Sequence, residues 1–340
     1  ANIFFEEKKA ERAIEYYQKA IELSPNFLDA FNNMGNCYLS LGRFDESIDC
    51  FNKILKINKT YYKAYNNLGQ VLNLLGKYQE AEEVLLKGID VCPKFLEFYV
   101  TLGHTYISNY DLLKCIKIYK KGFKRDNNNP VILNNIGHYY MTRKKYKIAE
   151  KYFKKAKLIK KDYNDVTRNL ALCQLATKNF KEGWKNYSLR FECDDVLTPQ
   201  YLPKCKKYNL KDTFKRVYIW TEQGLGDEIF FSRFLNNLNT DKTEFFFRPQ
   251  IKLIPLFRNC FPNLNILDSK VDPGGFSAKN DLNEFNFDGH IAIGSLAELF
   301  AKDEKKVRAS SKKFLNLNNP VKLTIEDQIP EKNLVCGISW

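Results

Sequence analysis

Two groups of residues in this sequence are spaced for chemistry. The first is the run Glu222-Gln223-Gly224-Leu225-Gly226-Asp227, which places two carboxylates around a Gly-x-Gly directly after the β-rich stretch Val217-Tyr218-Ile219-Trp220. A positioned Asp can accept the proton of a hydroxyl nucleophile, and glycines let a backbone lie close against a bound molecule. The second group is Asn33, Asn67, Thr101, Asn135 and Asn169, which recur at a spacing of 34 residues. An amide side chain offers a donor and an acceptor, so a ladder of them can pair with an extended peptide main chain without reading its side chains.

The elements needed to position the ladder are written in the same period. Gly35, Gly69, Gly103 and Gly137 stand 34 residues apart, inside the frames Phe31-x-x-Met34-Gly35-x-x-Tyr38, Tyr65-x-x-Leu68-Gly69-x-x-Leu72, Tyr99-x-x-Leu102-Gly103-x-x-Tyr106 and Leu133-x-x-Ile136-Gly137-x-x-Tyr140. Each frame is the first helix of a unit. The second helix carries a small residue four before a large one: Ala13/Tyr17, Ser47/Phe51, Ala81/Leu85, Cys115/Tyr119 and Ala149/Phe153. Such a pair packs closely because Gly and Ala let two antiparallel helices approach, with the large residues expected to fill the gap to the next pair. Four mid-helix glycines, each costing about 1 kcal/mol against Ala, require a packing reason of this kind.

A period of 34 residues in this pattern resembles the tetratricopeptide-repeat family. The resemblance covers residues 1–197, with a truncated first unit and a last unit in which Ala171 replaces the Gly and Gly183 the Ala. It implies an α-solenoid that binds a protein or peptide partner in its groove. In the repeats of O-GlcNAc transferases a similar asparagine ladder holds extended polypeptide; the alternative is that Asn is simply common at this position. His104 and His138 share one repeat phase on the same face. Two histidines are too few for a metal site.

Beyond residue 197 the grammar changes. Residues 198–213 read as a linker. Then strand candidates at Val217–Trp220, Phe245–Phe247, Leu264–Leu267 and His290–Ile293 alternate with helical stretches at Glu228–Leu238, Lys252–Cys260 and Ser295–Phe300. Alternation of this kind predicts a doubly wound α/β domain over 214–340, whose ligand lies at the C-terminal ends of its strands. A dinucleotide fingerprint is absent, since Ile229 stands where its third glycine would be. Asp227 is open to two readings, general base or helix N-cap. Glu222 is expected to be solvated or ligand-facing, and His290 to be a packed residue.

The string Trp220-Thr221-Glu222-Gln223-Gly224-Leu225-Gly226-Asp227-Glu228-Ile229 resembles the opening of glycosyltransferase domains similar to the ADP-heptose heptosyltransferases, joined in some bacterial proteins to tetratricopeptide repeats. Leu225-Gly226-Asp227 matches that family's motif, and the resemblance implies Asp227 as base on the acceptor hydroxyl. Residues 222–226 would line the acceptor side. It implies a two-lobed GT-B fold of which 214–340 is the N-terminal lobe. Cys336-Gly337-Ile338-Ser339-Trp340 looks like the first strand of the second lobe, which would grip a nucleotide-sugar donor. This stretch alone is therefore expected to bind no cofactor and to transfer no sugar. The competing reading is a non-catalytic protein-binding scaffold.

Composition narrows the classes. Net charge is +14, but the lysines are spread through both halves, and the longest clusters, Lys144-Lys145 with Lys147 and Lys204 with Lys206 and Lys207, are short. Nucleic acid is not the expected partner. No apolar run approaches a membrane span. Nine scattered cysteines without a C-x-x-C pair suit free thiols in the cytoplasm. No D-x-D pair suggests a divalent metal. The chain opens at Ala1 in mid-repeat, and more sequence before it is expected.

Overall fold

A computed structural model describes residues 2–192, 204–222, 224–267 and 286–310. The chain divides into two compact units, residues 1–161 and 162–340.

The first unit is a run of nine helices: α1 (Asn2–Leu23), α2 (Leu28–Ser40), α3 (Phe44–Ile57), α4 (Tyr62–Leu74), α5 (Tyr78–Val91), α6 (Glu97–Ser108), α7 (Leu112–Arg125), α8 (Pro130–Thr142) and α9 (Tyr146–Ile159). From α2 onward they form antiparallel pairs. A Cβ built on Gly35, Gly69, Gly103 or Gly137 meets the side chain of Phe51, Leu85, Tyr119 or Phe153 respectively. The large residue therefore lies over the glycine of its own pair, which corrects the expectation that it fills the gap to the next one. The small residue of the second helix abuts the same place, where Ser47 Oγ donates to the Gly35 carbonyl at 2.8 Å.

Each first helix ends in the same way. The amides of Arg43, Lys77, Asp111 and Lys145 donate to the carbonyls five residues back, Tyr38, Leu72, Tyr106 and Tyr140. This is a Schellman closure, which needs a left-handed residue just before the donor. Gly42 and Gly76 fill that position with φ of 72° and 74°, and nothing crowds them. Tyr110 and Lys144 hold it at 58° and 57° without a glycine's freedom, so the 34-residue period continues in the backbone where the sequence hides it.

The second unit begins with another such pair, α10 (Asn164–Ala176) and α11 (Phe180–Tyr187), followed by a 3-10 turn at Ser188–Glu192. A five-stranded parallel sheet follows: β1 (Lys206–Lys207), β2 (Arg216–Trp220), β3 (Glu244–Arg248), β4 (Asn265–Ile266) and β5 (Gly289–Ala292), in the order β1-β5-β2-β3-β4. Between and after the strands lie α12 (Leu225–Ser232), α13 (Ile254–Cys260), α14 (Leu296–Phe300) and α15 (Glu304–Ser310). The 198–213 stretch, expected as a linker, supplies the edge strand β1 and buries Tyr208. The expected helix Glu228–Leu238 starts earlier and is shorter, because Gly224 is its N-cap and a 3-10 turn at Leu235–Asn237 replaces its end.

One face of the sheet presents Val217, Ile219, Phe245, Phe247 and Ile291 to a core shared with Phe231, Phe234, Phe257 and Leu296. Trp184 and Tyr187 of α11 belong to that core, and Trp184 Nε1 donates to the Ala301 carbonyl at 2.9 Å. The last helical pair is thus built into the second unit. Among the described residues no helix is long and apolar enough to cross a membrane, and no cluster of three metal-ligating side chains occurs.

Candidate functional site

In the first unit the polar ladder lies along the first helices of the pairs. Asn67 Nδ2 donates to Asn32 Oδ1 at 3.0 Å and to Asn36 Oδ1 at 3.1 Å. One repeat on, Thr101 Oγ1 donates to Asn66 Oδ1 at 2.9 Å, buried. The Asn67–Asn32 and Thr101–Asn66 bonds both span 35 residues, so each rung is tied to the repeat before it. Continuing the step from Asn135 reaches residue 100, a valine that has no acceptor. Asn135 Nδ2 is accordingly buried with no hydrogen-bond partner. Asn33 is exposed. Asn169 lies in the second unit, buried on α10. The structure therefore uses Asn67 and Thr101 partly to join repeats, and leaves Asn135 the rung with an unmet donor. His104 and His138 are exposed one residue past the repeat glycines.

In the second unit the loops at the C-terminal ends of β2, β3 and β5 converge. Both β3 and β5 pair with β2 on opposite sides, so the strand order reverses at the β2–β5 seam. Glu222, two residues past β2, is not solvated. Its Oε2 accepts from Arg190 Nε at 2.5 Å, and its Oε1 from Arg190 Nη2 at 2.6 Å and from the Gly294 amide at 2.8 Å. This corrects the expectation of a solvated or ligand-facing carboxylate. Arg190 was not legible in advance. Its neighbours Leu189, Phe191 and Glu192 give no spacing that marks it for burial, although an Arg flanked by Phe191 and Tyr187 could have suggested ring stacking, which the structure has at 4.0 and 4.4 Å.

Asp227 sits in the first turn of α12, three residues after the N-cap Gly224, and no side chain caps that helix. The N-cap reading of Asp227 is corrected accordingly. Partial burial pushes its pKa up, the direction that suits a proton acceptor near neutral pH. Among the described residues, nothing stands near a Cβ built on Gly224 or Gly226, and Leu225 is exposed. Gln223 lies outside the described residues. Glu228, which the sequence did not single out, is 2% exposed. Its Oε1 accepts from the Gln250 amide at 3.0 Å, and the Gln250 side chain also bears on the carboxyl, though Oε2 makes no hydrogen bond of good geometry among the described residues. Burial pushes its pKa up to about 7, partly opposed by Gln250. His290 is packed under Trp220, whose Nε1 donates to its Nδ1 at 3.3 Å. An open cavity of about 460 Å³ flanks β4, lined by Phe246, Arg258, Phe261 and Leu264 among others; it shares no residue with this edge.

Glu228 gives a prediction. A carboxyl whose pKa is raised by folding, here from 4.5 to about 7, stabilises the fold fully below the lower value. That contribution is lost as pH rises through the higher one. All three tryptophans, 184, 220 and 340, lie beyond residue 161, so their fluorescence reports the second unit. Between pH 4.5 and 8 the parent should lose up to about 3 kcal/mol more than Glu228→Gln. Parallel urea curves for parent and variant across that range would contradict a buried carboxyl with a raised pKa.

Comparison with known proteins bears on the first unit. Family models described as tetratricopeptide repeats match residues 1–42, 26–94, 96–129 and 131–161. No curated protein matches the chain. Among solved structures, a thermophilic repeat protein of Thermus thermophilus is similar at 20% identity, over 48% of this chain and 90% of its own, with a TM-score of 0.42. MamA of Desulfovibrio magneticus is similar at 23% identity over 45% and 87%, with a TM-score of 0.39. YrrB, described as a repeat protein with an unusual peptide-binding site, is similar at 15% identity over 53% and 92%, with a TM-score of 0.39. Residues 1–161 consist of tetratricopeptide repeats, the class of module that binds protein or peptide partners.

Proposed function

We propose that the first unit binds an extended polypeptide through its main chain, along the face that carries Asn33, Asn67, Thr101 and Asn135. The observation that carries this reading is the buried Asn135 Nδ2 without a partner. A buried donor left unpaired costs about 1–3 kcal/mol; Asn135 as a whole is half-buried, and a turn of its amide toward the groove would bring the donor to a peptide carbonyl. Exposed His104 and His138 add polar groups on neighbouring repeats.

The test uses a peptide selected from a random display library against the intact chain. Asn135→Ala should weaken that peptide about three- to tenfold by calorimetry, the worth of one hydrogen bond, with the melting temperature of the free protein held or raised, since an unpaired buried donor is removed. Val100→Asn should weaken it as well, because an acceptor at residue 100 completes the rung from inside. Asn67→Ala should cost about 1 kcal/mol of stability through its lost inter-repeat bonds. Unchanged affinity in both Asn135→Ala and Val100→Asn would sink the reading.

A second reading concerns the other unit. As part of a longer chain it would supply the acceptor side of sugar transfer, with Asp227 as base and a nucleotide-sugar donor held by a second lobe. What favours it is the pairing of two carboxyl groups of raised pKa in one helical turn, Asp227 and Glu228, beside glycines that nothing crowds among the described residues. Without that activity the protein is a binding scaffold.

A further inference from the structure

The seam between β2 and β5 is where a parallel sheet of this strand order opens a crevice, and ligands of such sheets settle there. In this molecule the place is filled by its own side chains. Glu222 reaches it from the end of β2, and Gly294 and Ser295 form the turn that follows β5. Arg190 arrives from the 3-10 turn after α11 and is completely buried. Around the Glu222 carboxylate stand Arg190 Nε and Nη2, the Gly294 amide, and behind them Ser295 Oγ, 3.1 Å from Arg190 Nη2. Arg190 Nη1 donates to the Tyr187 carbonyl at 3.0 Å, and its guanidinium is stacked between the rings of Tyr187 and Phe191. A planar fork of donors with a backbone amide alongside is the chemistry that binds carboxylate or phosphate. A Cβ on Gly294 would collide with Glu222 and close in on Arg190, so only glycine leaves room for this arrangement.

We infer that Arg190 and the Gly294 amide form an anion-binding site at the strand-order reversal of the second unit, and that the Glu222 carboxylate is its resident occupant. The site would take a carboxylate or a phosphate if Glu222 were absent. With Glu222 in place it excludes external anions, because a tethered carboxylate outcompetes any free one by its effective concentration. It also fastens the end of β2 to the turn that follows the last helical pair.

Chemical rescue tests the site directly on the intact chain. Glu222→Ala removes the carboxylate, leaves the Arg190 charge buried and unpaired, and should lower the tryptophan-detected melting midpoint by roughly 10 °C. Acetate, which replaces the missing carboxylate, should raise that midpoint by about 3–6 °C when present at about ten times its Kd, and chloride at equal ionic strength should not. In the parent, acetate and inorganic phosphate should raise the midpoint no more than they raise that of Glu222→Ala combined with Arg190→Lys, where only the general exclusion effect of these anions remains. Arg190→Lys should abolish the rescue of Glu222→Ala, since an ammonium cannot present the fork. Should Glu222→Ala fail to fold, Glu222→Gln keeps the shape without the charge, and its midpoint must still fall below the parent's. Three results overturn the inference: a Gln variant as stable as the parent, acetate protecting Glu222→Ala no more than it protects Glu222→Ala combined with Arg190→Lys, or phosphate stabilising the parent beyond its effect on that double variant.

Discussion

Gly69→Leu should destabilise the repeat unit by about 3 kcal/mol or more. A Cβ alone at this position would come within 2.5 Å of Leu85 Cγ and 2.6 Å of its Cδ2, and Leu85 is fully buried. The Leu85 side chain has no free direction in which to retreat, so a full leucine would force the α4 and α5 backbones apart. Overpacking of this kind costs about 1–3 kcal/mol for added methylenes and more when backbone must move. The gain in helix propensity on replacing glycine, about 0.8 kcal/mol, offsets only a fraction. Far-UV circular dichroism detects the effect, since most helix lies in the first unit, while tryptophan fluorescence marks the second. A dichroism-detected midpoint equal to the parent's would contradict the packing of the large residue over the glycine of its own pair.

That packing partner is also where sequence reasoning reached its limit in the repeats. A period of 34 and a glycine in helical phase demand close approach, and the structure has it. Spacing alone does not say which of two neighbouring pairs a large side chain enters. The answer lies in the direction of its rotamer, which only the assembled helices fix. The left-handed closure at Tyr110 and Lys144 was hidden for a different reason. A Schellman turn tolerates a non-glycine residue at modest cost, so glycine marks it in some repeats and not in others.

In the second unit the β-rich runs revealed β2, β3 and β5, because alternating or continuous apolar residues are forced by burial on two faces, and Leu264–Leu267 marked the two-residue edge strand β4 through its apolar residues. A two-residue edge strand such as β1 has no period to read. Arg190 and Glu228 were illegible because nothing local separates a buried charge from a solvated one. Arg190 is buried only because Glu222, 32 residues away, and Gly294, more than a hundred away, meet it at the β2–β5 seam. Glu228 reads as an ordinary first-turn acid of a helix, favourable there through the helix dipole, until Gln250 and the sheet close over it.

If the second unit supplies the acceptor side of sugar transfer, as proposed above, Asp227→Asn should lower that transfer by roughly 10²–10⁴, the usual contribution of a general base. The structure sharpens this test, because it separates the two roles that the sequence left joined. Gly224 is the N-cap of α12, and no side chain caps that helix. Asp227 therefore supports α12 only through its charge near the helix N-terminus, worth about 0.3–1 kcal/mol. Both Asn and Ala at this position should leave the tryptophan-detected midpoint almost where it was, so any large fall in rate belongs to chemistry. The raised Asp227 pKa adds a second signature: the rate of the parent should climb as pH rises through that pKa, and the residual rate of the Asn variant should not. Donor binding, measured separately, should be equal in the two. If Asp227→Asn turns over its acceptor at the parental rate, the first turn of α12 is not a catalytic centre. The raised carboxyls there would then reflect burial alone, and the second unit would serve the repeats as a folded support.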